Sequence, residues 1–451
     1  MKAWLKKILP RGSIVLGLTT LGSYVVGLVR DRMFAQTLGA SPALDAYNAA
    51  FLVPDFLFNL LVASGIAAAA IPLFTQLQAQ NRHAAQEYIN TLMTAAITTM
   101  GVTGCIILLF APQLSTLVAP GLNEESRVST AHIMRILALP PLAFAASNAL
   151  GSLLVAQQRF IFYGLSPIVY NLGIIGGTLY LFPRWGITGI AWGTVFGAML
   201  HLLVRLIDSL RSGWRPRISW AWGSSEMRRT LRLMTPKMIG HPVELITFWV
   251  FTSLASLLVP GSITSLNFAR NFQSVPVSLI GIAMATAVFP TMAKAALASP
   301  QNLKTVTVRT AISILGISTM AAIILFAIRH PLVNILLGGG AFGPEAVSKT
   351  ALLLGVFCLS IPTESLSHLL ARAFYAIQNT TIPVIWGVAG LIVAAGSGYL
   401  LVQPIGIIGL PLGFFLGSLV KTGGLAMTFF VHQDPSSHRK AVAGTAAASR
   451  R

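Results

Sequence analysis

The sequence predicts an all-α polytopic membrane protein with about twelve transmembrane helices in two six-helix lobes around a central cavity. Three observations carry this. The 451 residues are 55% hydrophobic and 10% charged, where soluble domains carry about 25% charged residues. Mean hydropathy is +0.75. The apolar runs are long enough to cross about 30 Å of hydrocarbon as helices, rather than alternating over about ten residues as barrel strands would.

In order, the spans are expected at 13–35, 45–74, 88–111, 131–156, 165–183 and 186–210, then 230–258, 263–293, 305–328, 349–375, 381–402 and 405–431. The second and eighth contain Pro54 and Pro276. Proline removes a backbone donor, so kinks are expected there. The chain divides into an N-lobe at 1–210, a cytoplasmic amphipathic linker at 211–229, a C-lobe at 230–432 and a disordered cytoplasmic tail at 433–451. The linker, RSGWRPRISWAWGSSEMRR, mixes arginine with Trp214, Trp220 and Trp222, which suits the headgroup level of an anionic leaflet. GIAAAAIP at 65–72 and GIAMATAVFP at 281–290 hint at related halves.

Lysine and arginine fix the expected orientation. One set of connections carries Arg82, Arg159, the arginine-rich linker, Lys294 and Lys304, and both terminal segments are basic. The alternate set holds Arg127, Arg184, Arg329 and Lys349. Both termini are therefore expected in the cytoplasm. The net charge of +19 lies in these short connections with no aromatic-interleaved basic patch, so no nucleic acid is expected as partner.

Enzymatic constellations are missing. The sequence contains no GxxxxGK[ST], no HExxH and no CxxC, and its eight histidines are scattered. No catalytic residues, metal or cofactor are expected. Cys105 and Cys358 read as small packing residues, and His201 and His241 as packing or hydrogen-bonding ones. Transport by conformational change fits better than covalent chemistry.

The chemistry concentrates in GSYVVGLVRDRMFAQTLGASPALD, 22–45. Arg30 and Arg32 admit two readings. They could snorkel to the membrane surface, or they could belong to a polar, net-cationic site inside the bundle. Acidic neighbours at Asp31 and Asp45 favour the second, because a charge at bilayer depth normally faces a cavity or partner. Asp31 is expected to orient an adjacent arginine. Arg270 sits about nine residues into a span, where its planar fork suits phosphate. Lys237 is intermediate, and Glu244 lies seven residues later on the same helix face, as its ion partner or a proton-coupling group. Arg205, Arg232 and Arg309 are expected to snorkel, and Arg372 to pair with Glu364.

GLVRDRMFAQTLGASPALDAYNAAFLVPDFL at 27–57 resembles the opening of the MurJ/MviN lipid II flippase family, within the multidrug/oligosaccharidyl-lipid/polysaccharide exporter superfamily. LLVAQQRFIFYGLSPIVYNLGIIGG, GITGIAWGTVFGAMLHLL, PGSITSLNFARNFQSVPVSLIGIAMATAVFPTMAKA, GGGAFGPEAVSKTALLLG and LLARAFYAIQNTTIPV continue the resemblance in order. It implies a two-lobed bundle in the bacterial inner membrane that moves an undecaprenyl-diphosphate-linked peptidoglycan precursor by alternating access. Arg30 and Arg270, with Arg32 and Lys237, would hold the diphosphate. Asp31, Asp45 and Glu244 would orient and gate, and cell-wall synthesis proteins are candidate partners.

The sequence also departs from the family pattern. Family arginines fall at Tyr24 and Phe58 here, and a family acid at about Ala63. Arg270 precedes Asn271 where the family has Asp-Arg or Asn-Arg, a shift of about 100° around a helix. The acid associated with sodium in some members falls near Phe251, so no bound sodium is expected. About twelve spans stand where the family has fourteen. Export of another lipid-linked oligosaccharide and a transport-inactive scaffold are the competing readings.

Overall fold

The computed structural model describes residues 11–240 and 242–432; the expected tail at 433–451 lies outside them. Among the described residues the secondary structure is helical, joined by turns and by one extended segment at 214–221, with one isolated bridge between Gly339 and Phe342. Each of the twelve expected segments falls on a helical stretch. Among the described residues eight stretches are long and apolar enough to cross a membrane, or nine counting the bent pair Pro344–Phe357 and Ser360–Ala376. Exposed side chains such as Leu109, Ile323 and Leu400 stud these helices, which suits contact with lipid tails, and the chain is a multi-pass membrane protein.

The helices form two compact units. Of the described residues, the first takes those within 11–245, 252–264 and 334–346, and the second those within 246–251, 265–333 and 347–432. The first contains α1 (Arg11–Leu38), α2 (Pro42–Phe58), α3 (Ser64–Gln80), α4 (Arg82–Val118), α5 (Glu124–Leu137), α6 (Pro140–Ala156), α7 (Phe160–Gly176), α8 (Phe182–Trp185), α9 (Ile187–Arg211) and α10 (Ser225–Gly240). Side-chain caps set several starts. Ser41 accepts from Leu44 N ahead of α2, Asn81 from His83 and Ala84 N ahead of α4, and Asn123 from Ser126 N ahead of α5. The core of this unit runs from Val62 and Phe74 through Ile89 and Leu150 to Trp214 and Met234.

Helix α11 (Pro242–Ser256) and helix α12 (Ser262–Pro276) contribute to both units. The second unit is completed by α13 (Ala283–Ala298), most of α14 (Pro300–Leu337), α15 (Pro344–Phe357), α16 (Ser360–Ala376), α17 (Thr381–Ile405) and α18 (Gly409–His432). Its core includes Met292, Ile314, Leu370, Phe374 and Phe429.

The second and eighth spans each contain a π-helical turn, at Asn59–Ala63 and at Val277–Ile282, and a third such turn follows α7 at Gly177–Leu181. The turn at Val277–Ile282 follows directly on Pro276, whose missing N–H cannot close an α-helical ladder. The turns of the second and eighth spans each adjoin one of the paired motifs, GIAAAAIP or GIAMATAVFP.

A stronger internal repeat is visible only in three dimensions. Gly186 (φ +57°) and Gly406 (φ +62°) both reverse the chain between helices, a conformation that favours glycine. About two turns further on, an added Cβ on Gly193 would come within 2.6 Å of Gly177 Cα, and one on Gly413 within 2.7 Å of Gly398 N. The glycines thus let α9 approach α7, and α18 approach α17, backbone to backbone. Gln158 and Gln378 hold left-handed φ values of 57° and 59° at matching places. RWGITGIAWG and PIGIIGLPLG are the corresponding sequences.

Candidate functional site

The centre of the site is a three-residue clamp on one guanidinium. Arg30, in the C-terminal third of α1, donates from Nε and Nη2 to Asp31 Oδ1 at 3.0 and 2.7 Å. Its Nη1 donates to Asn171 Oδ1 on α7 at 2.9 Å. Asn171 is itself anchored, its Nδ2 donating to Pro167 O at 3.0 Å, and Phe34 lies 5.9 Å from the guanidinium carbon. The Arg30 and Asp31 side chains are 25% and 13% exposed. Three of the five guanidinium donors are thereby engaged, leaving one N–H on each terminal nitrogen for an incoming acceptor.

Asp45 sits on a different feature. It is 3% exposed and accepts from Gly261 N, Thr264 N and Thr264 Oγ1, each at 2.7 Å. Its carboxylate therefore caps the start of α12, where unpaired amides and the helix dipole favour negative charge. Gly261, at φ +82°, supplies the turn that aims these amides. Close by in the same unit, Ala341 N donates to Gln36 O at 2.9 Å and Gly121 N to Ser256 Oγ at 3.0 Å. Arg32 is engaged here too. Its Nη1 donates to Ile335 O, and lies 3.4 Å from Leu336 O, at the carbonyl end of α14. A cation there complements the helix C-terminus.

In the second unit, the Arg270 guanidinium carbon lies 3.3 Å from the centroid of the Phe248 ring. Cation–π contact of this kind contributes on the order of 2 kcal/mol when desolvated. Phe248 in turn packs against Phe251 and Phe414, with centroids 5.8 and 5.2 Å apart. Phe251 is fully buried. Glu244 lies exposed in the first turn of α11, and the Lys237 side chain lies outside the described residues.

Two expectations are corrected. Arg205 does not snorkel: it is 5% exposed, donates to Ser166 Oγ at 2.8 Å and Ser147 O at 3.0 Å, and lies over the Tyr163 ring. Its neighbour His201 hydrogen-bonds Ser147 Oγ at 2.8 Å and stacks edge-on against Phe144. Glu364 pairs with Lys421 at 3.1 Å rather than with Arg372, which donates to His368 O and Thr286 Oγ1. Glycine at 390 lets α18 come close enough to bring Lys421 over the carboxylate. Cys105 lies on an exposed face of α4, while Cys358 is buried. Phe58 packs on Phe144, with ring centroids 5.8 Å apart.

The partners of Asp45 and Arg205 lie far away in sequence, which is why residue type alone did not reveal their roles. The one available signal was the serine and tyrosine spacing of α6 and α7, which offers hydroxyls to a buried guanidinium.

Comparison with known proteins places this geometry. The family model described as lipid II flippase MurJ matches residues 34–445. A probable lipid II flippase from Rickettsia prowazekii is 25% identical over 422 residues, covering 92% of this chain and 82% of that protein. The lipid II flippase of Burkholderia cenocepacia is 26% identical over 419 residues, covering 89% and 80%. In fold, the chain is similar to a lipid II flippase in an inward closed conformation, with TM-score 0.80 at 19% identity over 92% of this chain and 87% of that one. An inward-facing multidrug resistance transporter of the MATE family gives 0.76 at 14% identity, covering 93% and 96%. The match of the family model across most of its length shows that this chain belongs to the MurJ lipid II flippase family.

Proposed function

We propose that this chain is a flippase that moves lipid II, an undecaprenyl-diphosphate-linked peptidoglycan precursor, across the bacterial inner membrane by alternating access, with both termini in the cytoplasm. Family membership supports the reaction class, and the skewed lysine and arginine distribution supports the orientation.

The observation that carries the mechanism is the clamp on Arg30. Asp31 and Asn171 fix the plane of the guanidinium and leave two N–H groups for phosphate oxygens. The paired carboxylate also offsets the charge of Arg30 when no anion is present, which keeps a cation tolerable at bilayer depth. A diphosphate contributes the acceptors, and its transfer needs no covalent step. Arg270 serves its own unit as a second phosphate-binding cation, held ready on the Phe248 face. Asp45 acts as a gate residue, because its hydrogen bonds to the start of α12 can be exchanged for water without breaking the helix. Membrane potential can bias the cycle: one charge moved through 100 mV is worth about 2.3 kcal/mol.

The test is rescue of bacterial cells depleted of their own lipid II flippase, comparing the chain with Arg30→Ala at matched membrane levels. Rescue by the unaltered chain and its loss in the variant would bear the proposal out. A well-expressed unaltered chain that fails to rescue would favour another lipid-linked oligosaccharide as cargo or a scaffold role. The aromatic packing of Phe58, where the family carries an arginine, is the feature that keeps those readings in view.

A further inference from the structure

A second polar feature lies at the opposite end of the first unit from Asp45, and the flippase reading does not use it. Between α3, α4, α6 and the segment after α9 there is a half-open cleft whose enclosed part, about 10 Å3, has room for one water-sized group such as a single phosphate oxygen. Gln78, Arg82, Gln157, Ser212, Gly213 and Trp214 line it. Gly213 holds φ +87°, and an added Cβ there would come within 2.7 Å of Arg82 Nη2, so the turn brings the guanidinium close to the chain. Arg82 has no acidic partner among the described residues.

Two buried polar atoms around the cleft lack hydrogen-bond partners: the indole Nε1 of Trp214, whose side chain is 2% exposed, and Oε1 of Gln157. One is a donor and the other an acceptor. Leaving a buried polar group without a partner is costly, and two such groups beside an unpaired cation describe a site waiting for a ligand. That ligand must offer an anionic acceptor to Arg82 and Trp214 and a donor to Gln157.

The neighbouring chain indicates where the ligand comes from. Gln86 Nε2 donates to Gly213 O at 3.0 Å, Asn90 Nδ2 to Arg215 O at 3.1 Å, and Thr91 Oγ1 meets Ser219 Oγ at 2.8 Å. Ser219 N donates to Thr94 Oγ1 at 3.3 Å. The segment therefore runs down α4 for eight residues, about 12 Å of helix. Ile218, Trp220 and Trp222 point outward from it, at 79%, 63% and 42% exposure. Tryptophan and isoleucine beside Arg215 and Arg217 form the pattern of a chain seated among headgroups. Each arginine near an anionic leaflet adds to the attraction.

We infer that this cleft is a binding site for the headgroup of an anionic phospholipid, the phosphodiester held by Arg82 and the Trp214 indole N–H and a headgroup hydroxyl donating to Gln157. The site would fasten the 211–229 linker to the leaflet, whatever cargo the protein carries.

The test is native mass spectrometry of the purified full-length chain titrated with phosphatidylglycerol. Phosphatidylcholine of the same acyl length and inorganic phosphate are the comparators. Phosphatidylglycerol should bind the unaltered chain in preference to both. Arg82→Gln and Trp214→Phe should each weaken it by about tenfold, the loss expected for one hydrogen bond to a charged group. Arg82 is exposed, so Arg82→Gln leaves the core intact; an unchanged melting temperature checks this, and it decides the matter if Trp214→Phe fails to fold. Equal binding by the unaltered chain and Arg82→Gln would overturn the inference. So would inorganic phosphate competing as well as the lipid, which would make the cleft a soluble-anion site. Equal retention of phosphatidylcholine would overturn it as well.

Discussion

Replacing Asp45 by alanine should unfasten the start of α12. The carboxylate accepts three hydrogen bonds at 2.7 Å, two from backbone amides, and is 3% exposed. Hydrogen bonds to a charged group contribute about 1.5–3 kcal/mol each in soluble proteins, whereas interhelical bonds in a membrane protein average about 0.6. Three bonds bracket the loss between about 2 kcal/mol at the membrane-protein average and about 9 at the top of the soluble-protein range, with the buried membrane setting favouring the low end. A value near 3 kcal/mol corresponds to roughly 150-fold in the opening equilibrium, at 1.4 kcal/mol per factor of ten. Asp45→Asn keeps one carbonyl acceptor but turns an amide N–H toward a backbone donor, so about half the loss should remain. Hydrogen exchange followed by mass spectrometry on a peptide containing Gly261 and Thr264 reads this directly. Exchange there should accelerate by about two orders of magnitude in Asp45→Ala and about one in Asp45→Asn, with peptides of α17 unchanged. Unchanged exchange at Gly261 and Thr264 would refute the capping role and the gate built on it.

Three further outcomes follow from the same structure. Gly193→Ala places a methyl group within 2.6 Å of Gly177 Cα and should destabilise the first unit by about 1–3 kcal/mol, seen as a lower melting temperature in detergent. Lys421→Met strands the Glu364 carboxylate, 8% exposed, at a cost of about 3–5 kcal/mol. Adding Glu364→Leu should restore most of the loss in a double-mutant cycle, and a cycle without coupling would contradict the pairing. Arg205→Met should lower stability by more than about 1 kcal/mol, because Ser166 Oγ and Ser147 O lose their donor inside the bundle. The same change at Arg232 or Arg309, both exposed, should stay within about 0.5 kcal/mol.

The helical class was legible because a bilayer demands long apolar runs, and those runs survive in any order of packing. Lipid-facing stretches such as α14 and α17 were read from hydropathy alone. Where two distant elements meet, composition carries little. Arg205 looks like any arginine near a helix end, and only Ser147, Tyr163 and Ser166 from other helices make its burial tolerable. Asp45 reads as a charge at the head of α2, and its partners lie 216 and 219 residues further on. The glycine repeat of RWGITGIAWG and PIGIIGLPLG was present in the letters, but its meaning depends on the backbone contacts that Gly193 and Gly413 permit. Phosphate binding by Arg30 was suggested by residue type and depth; the number of N–H donors left for a ligand required the positions of Asp31 and Asn171.

The central claim is that Arg30 binds a lipid-linked diphosphate that the protein carries across the bilayer. Its most direct measurement is lipid II translocation in proteoliposomes containing the purified chain, read by the accessibility of labelled lipid II to an external quencher. The unaltered chain should speed translocation over empty vesicles, and Arg30→Ala should lose about 10- to 100-fold of that rate, as expected for charge-assisted bonds worth about 1.5–3 kcal/mol. Equal rates for the two proteins would contradict the assignment of Arg30, and no acceleration by a folded, correctly inserted chain would contradict the flippase reading itself.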